Sequence, residues 1–422
     1  MMNKNIKTVA ILGGGPVACT LAILLLRKGI RPVMYYVPKQ STQQATLIVG
    51  ESTVPAIVPI LQLLGVEDEV RSYSELKPGA TVNMGPDHSF HFHFDRIDNG
   101  LPHYAYNLPR DQFDATLLKA ARKEGVRVVE TAAKVEKISG TDKVKLTDES
   151  LAAAGDAFSG QPDLIVDATG RLRYLPKLLD IKGVEGGRKD TAMFAHVDKT
   201  QLDFKGHVHS TRLDHGWSWR IPLPGRTSVG IVIPSEHLPK FGATKEERYD
   251  NLLKQDSELS KVTAGAKRLT PVMEHANYQL VSERIMGENW VLVGDTAGFI
   301  DPVFSSGLLI GLQGAVLLAD TIQKGTQKAF EHYRVEVTRH LKIWHGIVDS
   351  FYDGKLFNGA VEGEKLKKKY PLFFKIFPYF ENNFGRIFTG AVSNVPFNIE
   401  VMRQFLNWSA KKEDHRYMRI FE

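Results

Sequence analysis

The sequence predicts an α/β protein with a doubly wound sheet, and three segments carry that prediction. Residues 9–27 form a short apolar run, a glycine-rich turn and a second apolar run long enough for a helix. Residues 290–322 repeat the order of strand, turn and helix, with a loop before the helix. Between them, residues 163–172 (DLIVDATGRL) contain another apolar run of the buried-strand type. Such strands, alternating with helices, are typical of a parallel sheet whose strand ends face a ligand.

The first turn, residues 13–18 (GGGPVA), matches the dinucleotide fingerprint G-x-G-x-x-G/A. Its glycines allow a tight turn and a close approach of the backbone to a pyrophosphate at the helix N-terminus. Plain strand-to-helix connections can also be rich in glycine. Tyr36 stands about where such a site carries an acidic residue for the ribose, so ribose recognition is expected to differ in part. The pattern predicts a nucleotide site that includes Gly13, Gly15, Pro16 and Ala18.

A second dinucleotide feature lies far downstream, at residues 294–307. Asp295 follows a strand and a glycine, where its carboxylate can accept hydrogen bonds from ribose hydroxyls. The helix that starts near Ser306 and Gly307 offers backbone donors to an anionic ring or ion. The structural alternative is an Asx turn followed by a serine N-cap. Together with the N-terminal turn, this segment favours a single dinucleotide site built from distant parts of the chain.

Composition limits the classes of function. The chain has 422 residues, 43% hydrophobic and 24% charged, which is enough for two or three structural units. The formal charge of +6 is mild and the basic residues are mostly scattered, so nucleic-acid binding is not predicted. The single cysteine, Cys19, excludes an intramolecular disulfide and a cysteine-based metal site. Glycines interrupt the apolar N-terminal segment, and no other segment reaches the ~20 apolar residues of a membrane span. We therefore expect a cytoplasmic protein without a transmembrane segment.

Two pairs of histidines alternate along predicted strands. His91 and His93 share one strand face, and His207 and His209 do the same. Two imidazoles on one strand can bind zinc, but no third and fourth ligands follow at a metal-site spacing. The pattern favours the open polar side of a half-buried sheet, and no metal site is predicted.

Six motifs, in this order, resemble those of the flavin-dependent halogenases and their relatives among FAD monooxygenases. The similarity covers about the first 330 residues, and it is most specific at G-W-x-W-x-I-P and D-P-V-F-S-S-G. The motifs are GGGPVA (13–18), VGESTVP (49–55), YNLPRDQFDATLLKAA (106–121), DATG (167–170), GWSWRIP (216–222) and GDTAGFIDPVFSSG (294–307).

The resemblance implies FAD as the cofactor and a β-sheet substrate subdomain inserted into a Rossmann-type FAD-binding sheet. The implied FAD monooxygenase core spans 1–330, and a helical C-terminal region spans 331–422. The FAD-binding segments are about 1–80, 105–182 and 283–330, and the mostly antiparallel substrate subdomain is about 81–104 and 183–282. The implied FAD contacts are Gly13, Gly15, Pro16, Ala18, Glu51, Ser52, Arg110, Asp295 and Gly307.

Trp217 and Trp219 are the first candidate catalytic residues. A spacing of two puts both side chains on one face of a strand, as a continuous aromatic wall. The resemblance places that strand beside the passage between flavin and substrate, where the wall would exclude water. Packing between two sheets is the alternative that fits any such tryptophan pair.

Lys77 and Ser306 complete the candidate catalytic set. Halogenases of this type are thought to pass hypohalous acid from the flavin to a lysine, and the segment SELKPGATVNMG places Lys77 at the matching position. Desolvation could lower the pKa of the amine enough to make it nucleophilic. A surface lysine before a Pro-Gly turn is the alternative. The backbone amides of Ser306 and Gly307 are candidate halide or flavin contacts.

Departures from the family pattern direct the functional prediction. Phe304 stands where tryptophan halogenases carry a glutamate, which disfavours free tryptophan as the substrate. Ser218 and Arg220 replace bulky apolar residues, which puts halide transfer in doubt. We therefore expect an FAD-dependent monooxygenase that hydroxylates an electron-rich aromatic ring. That ring could belong to a partner protein, as for the LodB-type flavoproteins that act on a tryptophan of a cysteine tryptophylquinone oxidase.

Two other functions stay open. One is a flavin-dependent halogenase of a phenol, pyrrole or indole; the other is a noncatalytic flavin-binding partner protein. No second glycine-rich fingerprint for NADPH is present, which fits a separate flavin reductase but also fits single-component hydroxylases.

The C-terminal region combines a basic run with regularly spaced phenylalanines. The spacings of three and four put several rings on one helical face, broken near Pro378. The pattern favours a lid packed on the core over a docking surface for a partner protein or an interfacial membrane segment. The residues are Lys365, Lys367, Lys368 and Lys369, and the phenylalanines at 373, 374, 377, 380, 384 and 388.

Overall fold

The computed structural model describes residues 5–38, 49–83, 89–97, 99–198, 200–213, 216–255, 257–276, 279–372, 385–394, 404 and 407. Its strands are β1 (Thr8–Leu12), β2 (Arg31–Tyr35), β3 (Glu75–Lys77), β4 (Gly79–Asn83), β5 (Ser89–His93), β6 (Ala105–Asn107), β7 (Arg127–Val129), β8 (Val135–Lys137), β9 (Val144–Leu146), β10 (Leu164–Asp167), β11 (Gly183–Glu185), β12 (Asp190–Val197), β13 (Val208–Leu213), β14 (Gly216–Leu223), β15 (Arg226–Pro234), β16 (Met273–Ala276), β17 (Leu280–Ser282), β18 (Trp290–Leu292) and β19 (Gly298–Phe299). Its helices are α1 (Pro16–Arg27), α2 (Val58–Leu64), α3 (Glu67–Tyr73), α4 (Arg110–Glu124), α5 (Asp148–Ala154), α6 (Tyr174–Leu178), α7 (Lys245–Gln255), α8 (Ser257–Val262), α9 (Ser306–Lys324), α10 (Gln327–Tyr352) and α11 (Lys355–Lys369).

A five-stranded parallel sheet forms the first layer, in the order β18-β10-β1-β2-β7. Its three predicted strands, β1, β10 and β18, are neighbours, and Leu12 pairs with Asp167 at their carboxyl ends. Residues 9–12 are buried, as expected for a strand with both faces covered. Helices α1, α4 and α9 pack together beside this sheet. The arrangement confirms the predicted α/β class and brings the three strand ends to one edge.

A seven-stranded sheet forms the second layer, in the order β16-β12-β15-β14-β13-β4-β5. Every neighbouring pair is antiparallel except β13 and β4, which are parallel. One face contributes Phe194, Trp217 and Trp219 to the main hydrophobic core. The other face contributes Met193 and Ile231 to a smaller core under α7 and α8. The alternation of β12 and β15 therefore supplies two separate cores from one sheet.

Helix α9 is the one helix among the described residues that is long and apolar enough, by length and composition alone, to cross a membrane. It has 19 residues, and 56% of its most apolar window is buried. Leu309, Leu312 and Leu318 are fully buried, and the helix packs between α1 and α10. These contacts are those of a core helix. The cytoplasmic location stays a prediction.

The C-terminal helices pack on the core. Phe304 is buried against Trp344 and Phe351 of α10, so the residue that replaces the family glutamate forms part of this interface. Phe388 stacks on Phe92 with ring centroids 4.0 Å apart. Residues 373–384, which carry five of the six predicted phenylalanines, lie outside the described residues. Lys365, Lys367, Lys368 and Lys369 are exposed, as expected for a solvated face.

The histidine pairs differ in exposure. His91 is exposed, but His207 and His209 are buried, so the prediction of an open polar face is wrong for this second pair. Thr81 Oγ1 lies 3.2 Å from His91 Nδ1 and 3.1 Å from His207 Nδ1. Burial lowers the pKa of His207 to about 4 and that of His209 to about 3. Within the described part of the chain, no group of three or more His, Cys, Asp or Glu residues could hold a metal ion.

Candidate cofactor and substrate site

A cavity of about 560 Å³ lies between the two main sheets. Its volume is in the range of small-molecule and cofactor sites. Segments that follow strands of the five-stranded sheet (residues 13–17, 168–171 and 293–295), together with residues 49–52 and Arg110, line one part, which we call the cofactor half. The seven-stranded sheet lines the other part, which we call the substrate half: Phe194, Trp217, Trp219, Ile221 and His275.

The glycine turn forms the floor of the cofactor half. Gly13 has φ +118°, and a Cβ on it would lie 2.5 Å from the Ala168 carbonyl oxygen, so the first fingerprint position accepts only glycine. A Cβ on Gly15 would meet no described atom within 4 Å, which leaves open space at the start of α1. The N-terminus of this helix is a site for an anionic group such as a pyrophosphate. Gly13, Gly15 and Pro16 line the cavity.

Ala18 does not line the cavity, and Tyr36 packs against the glycine turn. Ala18 is fully buried and is not among the residues that line the cavity, so the last fingerprint position serves helix packing. A Cβ on Gly14 would lie 2.2 Å from the Tyr36 ring, so the ring covers the middle glycine of the turn. Tyr36, which stands where such sites carry an acidic residue for the ribose, therefore packs on the glycine turn instead.

Glu51 is held in the cavity wall by a buried imidazole. His196 Nε2 lies 2.6 Å from Glu51 Oε1, and Arg226 Nε donates to His196 Nδ1 at 3.1 Å. Because a guanidinium can only donate, Nδ1 accepts and Nε2 carries the proton that faces the carboxylate. His196 lies on β12 of the seven-stranded sheet, whereas Glu51 lies in a loop far away in the sequence. Sequence analysis missed this residue, and the alternation of β12 alone gives no signal for it.

Charged residues surround the remaining cofactor half. Arg110 begins α4, donates to the Val49 carbonyl and pairs with Asp114 at 3.0 Å. Asp295 lies in the turn after β18 and lines the cavity. Burial raises the pKa of Asp295 to about 6, against the opposing effects of Arg110 and Arg171. The guanidinium groups of Arg110 and Arg171 suit a pyrophosphate, and the Asp295 carboxylate suits ribose hydroxyls.

The start of α9 borders the same cavity. Ser305 is the N-cap residue with φ +57°, and its side chain makes no capping hydrogen bond. A serine therefore stands at the N-cap position, as the structural alternative predicts, but without the side-chain hydrogen bond that would make it a cap. Ser305 and Gly307 line the cavity, whereas Ser306 is buried beside them and is not among the lining residues. Of the two predicted amides, only that of Gly307 belongs to a residue at the cavity surface.

The two tryptophans form one aromatic wall, as the spacing predicts. Their ring centroids are 5.6 Å apart, and both side chains are buried in the wall of the substrate half. Trp219 Nε1 donates to Ser228 Oγ at 3.4 Å, and Trp217 Nε1 donates to Tyr352 Oη at 2.8 Å. Phe194 lies 5.9 Å from Trp219, which extends the wall onto β12. The wall is therefore both a core element and a cavity surface.

Lys77 lies directly behind the cavity wall. Its side chain is buried, so the alternative of a surface lysine is wrong. Nζ donates to Ser52 Oγ at 2.9 Å and to the Thr53 carbonyl at 2.8 Å. Burial lowers the pKa of this amine to about 7. Ser52 lines the cavity and Lys77 does not, so one hydroxyl separates the amine from the cavity.

The cofactor half fits FAD. The open space at Gly15, the helix N-terminus and the two arginines match a pyrophosphate, and Asp295 and Glu51 supply carboxylates for hydroxyl groups. The aromatic half beyond it can accept a planar ring.

Comparisons with known proteins agree with this fit. A tryptophan 2-halogenase of Chondromyces crocatus is 27% identical over 365 residues, covering 82% of this chain and 67% of the relative. A 1H-pyrrole-2-carbonyl-[peptidyl-carrier protein] chlorinase of Pseudomonas fluorescens is 26% identical over 390 residues, covering 83% and 84%.

Solved structures show the same fold. The chain matches a flavoprotein/dehydrogenase from Cytophaga hutchinsonii with a TM-score of 0.79 and 21% identity, over 97% of this chain and 100% of the other. A myxobacterial chondrochloren halogenase, an FAD-dependent halogenase, matches with a TM-score of 0.71 and 25% identity, over 82% of each chain. The model of the tryptophan halogenase family matches residues 8–101 and 95–355. The chain therefore belongs to the tryptophan halogenase family and is an FAD-dependent enzyme that modifies aromatic substrates.

Proposed function

We propose that the chain is a flavin-dependent halogenase that transfers an oxidised halogen to an electron-rich aromatic ring, with Lys77 as the halogen carrier. The observation that carries this proposal is the place of Lys77: a buried amine, held by Ser52 at the wall of the cofactor cavity. The sequence alone favoured hydroxylation over halogenation, and this proposal places halogenation first.

The chemistry of Lys77 depends on its protonation. A pKa of about 7 leaves a large neutral fraction near neutral pH, and a neutral amine is a nucleophile. Bound FAD, when reduced, supplies with dioxygen the two-electron oxidation of halide to hypohalous acid. The Lys77 nitrogen attacks the halogen of hypohalous acid: the nitrogen–halogen bond forms, the oxygen–halogen bond breaks and water leaves with one amine proton. The ring then takes the halogen, and its displaced proton restores the amine.

The substrate half suits this transfer. Phe194, Trp217 and Trp219 present apolar rings to the cavity, which favours a planar aromatic substrate and excludes water from the oxidant. For the transfer, Lys77 Nζ must gain access to the cavity past Ser52, with which it shares a hydrogen bond.

The orientation of Ser218 and Arg220 supports the proposal, although their departure from the family pattern put halide transfer in doubt. On β14 they alternate with Trp217, Trp219 and Ile221, which line the cavity, so they face the opposite side of the sheet. Arg220 contacts Thr211 on that side. Their departure from the family pattern therefore leaves the cavity surface unchanged.

Hydroxylation is the second candidate, because Lys77 is shielded by Ser52 and direct oxygen transfer to a ring does not require a lysine. The relatives do not select a substrate, since one is named for tryptophan and another for a carrier-bound pyrrole. That the substrate is a tryptophan of a partner oxidase stays a prediction from the sequence. So does a separate flavin reductase that supplies reduced flavin.

The test is mass spectrometry of products from phenol, indole and pyrrole, with FAD, an added flavin reductase, and chloride, bromide or no halide. We expect a halogen mass gain with wild-type protein and none with Lys77→Met, which should retain FAD. Lys119→Met, a change at an exposed lysine, is the control and should leave the product yield unchanged. A gain of one oxygen that is independent of halide and of Lys77 would overturn halogenation in favour of hydroxylation.

A further inference from the structure

Trp217 is held from outside its own sheet. Its indole N–H is buried and donates to Tyr352 Oη at 2.8 Å, at the last residue of α10. Its neighbour Trp219 donates instead to Ser228, on the adjacent strand β15. The two tryptophans of the wall therefore depend on different elements: Trp219 on the substrate sheet, and Trp217 on the C-terminal helices.

Tyr352 is itself fixed from two sides. Its hydroxyl donates to Asp301 Oδ2 at 3.0 Å, in the loop before α9. The guanidinium of Arg188 lies 3.4 Å from the centroid of its ring and pairs with Asp190 at 2.9 Å. Since the hydroxyl accepts from Trp217 and donates to Asp301, the chain of hydrogen bonds has one direction.

Asp301 links this chain of hydrogen bonds to the cavity. Its Oδ1 accepts a hydrogen bond from the Val303 amide at 2.9 Å, and Val303 lines the cavity. The carboxyl group is buried, and burial raises its pKa to about 7. The Asp301 side chain thus contacts both a cavity-lining loop and the tyrosine that holds the wall.

We propose that Tyr352 and Asp301 are positioning residues that fix the indole of Trp217 and thereby set the shape of the substrate half. The inference rests on the proposed function only for the use of that half as a substrate site; the orientation of Trp217 stands independently of it. A purely structural cross-link, which would stabilise the fold without orienting the indole, is the alternative to be tested.

The variant Tyr352→Phe removes one hydroxyl and keeps the ring against Arg188. Tyr249→Phe is the matched control, because Tyr249 is also buried and its hydroxyl donates to the Val229 carbonyl at 2.9 Å in the core on the opposite face of the sheet. Asp301→Asn tests the second link. All proteins are labelled with 5-fluorotryptophan, and Trp217→Phe assigns the Trp217 fluorine signal among the five tryptophans.

We expect one sharp Trp217 signal in wild-type protein and in Tyr249→Phe, and a split or broadened signal in Tyr352→Phe and Asp301→Asn. An unchanged signal in Tyr352→Phe, in protein that still binds FAD, would overturn the proposal. A split signal in Tyr352→Phe, together with a wild-type product that gains one oxygen and no halogen, would leave the positioning role standing and remove the proposed function.

A second readout separates positioning from stability. The substrate is whichever of phenol, indole or pyrrole the wild type converts. With it, Tyr352→Phe should raise KM about tenfold and leave kcat within about twofold, because the lost hydrogen bond loosens the wall that binds the ring. In a Trp217→Phe background the same change should have no further effect on KM, because the indole donor is absent. An equal rise in KM in both backgrounds would contradict the role assigned to Tyr352.

Discussion

Asp295 and Lys77 show how single residues acquire their chemistry from burial. Each is an ordinary ionisable group in the sequence, and each lies beside the cavity with a displaced pKa. The carboxyl pKa is raised to about 6 and the amine pKa is lowered to about 7, in both cases because burial disfavours the charged form. Both displacements favour the neutral form of the residue.

At this scale, Asp295→Ala should weaken FAD binding. The carboxylate is placed to accept hydrogen bonds from ribose hydroxyls, and a charged acceptor of this kind contributes about 1.5–3 kcal/mol. We therefore expect the FAD dissociation constant to rise at least about tenfold, measured by fluorescence titration of the apoprotein. Asp320→Ala, a change at a half-buried aspartate of α9 that pairs with Lys28 and does not line the cavity, is the control. Equal dissociation constants for the two variants would remove Asp295 from the ribose contact.

At the scale of elements, the contact between α1 and α9 sets the position of the glycine turn. A Cβ on Gly311 of α9 would lie 2.7 Å from Val17 Cγ2, and Val17 lines the cavity directly after the turn. Three residues further along α9, a Cβ on Gly314 would lie 3.7 Å from Val293, an ordinary contact. The close approach of the two helices therefore depends on one glycine.

Gly311→Ala and Gly314→Ala form a matched pair at this interface. Alanine favours a helix interior, so Gly314→Ala should raise the free energy of unfolding by about 0.5–1 kcal/mol. Gly311→Ala should lower it by about 1–3 kcal/mol, because the stiff valine cannot move aside without moving α1. Urea unfolding measures both, and FAD affinity should fall only for Gly311→Ala. Stabilisation by Gly311→Ala would show that the helices do not determine the geometry of the turn.

At the scale of the whole molecule, the buried Lys77 makes global stability depend on pH. The pKa of this amine is about 7 in the folded protein and 10.5 at its ordinary value. Between these values the unfolded chain binds more protons than the folded one, so the contribution of Lys77 makes the free energy of unfolding rise with pH. Below about 7 both states are protonated and this contribution becomes constant.

Lys77→Met should therefore flatten the rise in stability between pH 7 and pH 10. Urea unfolding at several pH values in this window measures the slope for wild type, Lys77→Met and the surface control Lys119→Met. The control should be parallel to wild type. A Lys77→Met slope parallel to both would mean that the amine has its ordinary pKa in the folded protein.

Local patterns were enough for much of the architecture and part of the site. Three features depend only on the spacing of residues close in the sequence. They are the strand, turn and helix at residues 8–27, the strand that ends at Asp167 and the tryptophan wall. The shared cofactor cavity was predicted from two distant turns, because parallel strands bring their carboxyl ends to one edge.

Contacts between distant segments were decided by tertiary structure alone. Ala18 fits the fingerprint but packs in the core, and Ser306 fits the motif but lies beneath its cavity-lining neighbours, because side-chain direction at a helix start depends on what packs against it. His196 and Tyr352 carry no local pattern, since their partners Glu51 and Trp217 are 145 and 135 residues away. The sequence by itself determined the fold class, the two turns at the cavity and the aromatic wall, because each depends on a local pattern. The orientation of the wall, the burial of Lys77 and the hold on Glu51 required the packed molecule, because each arises where separate elements meet.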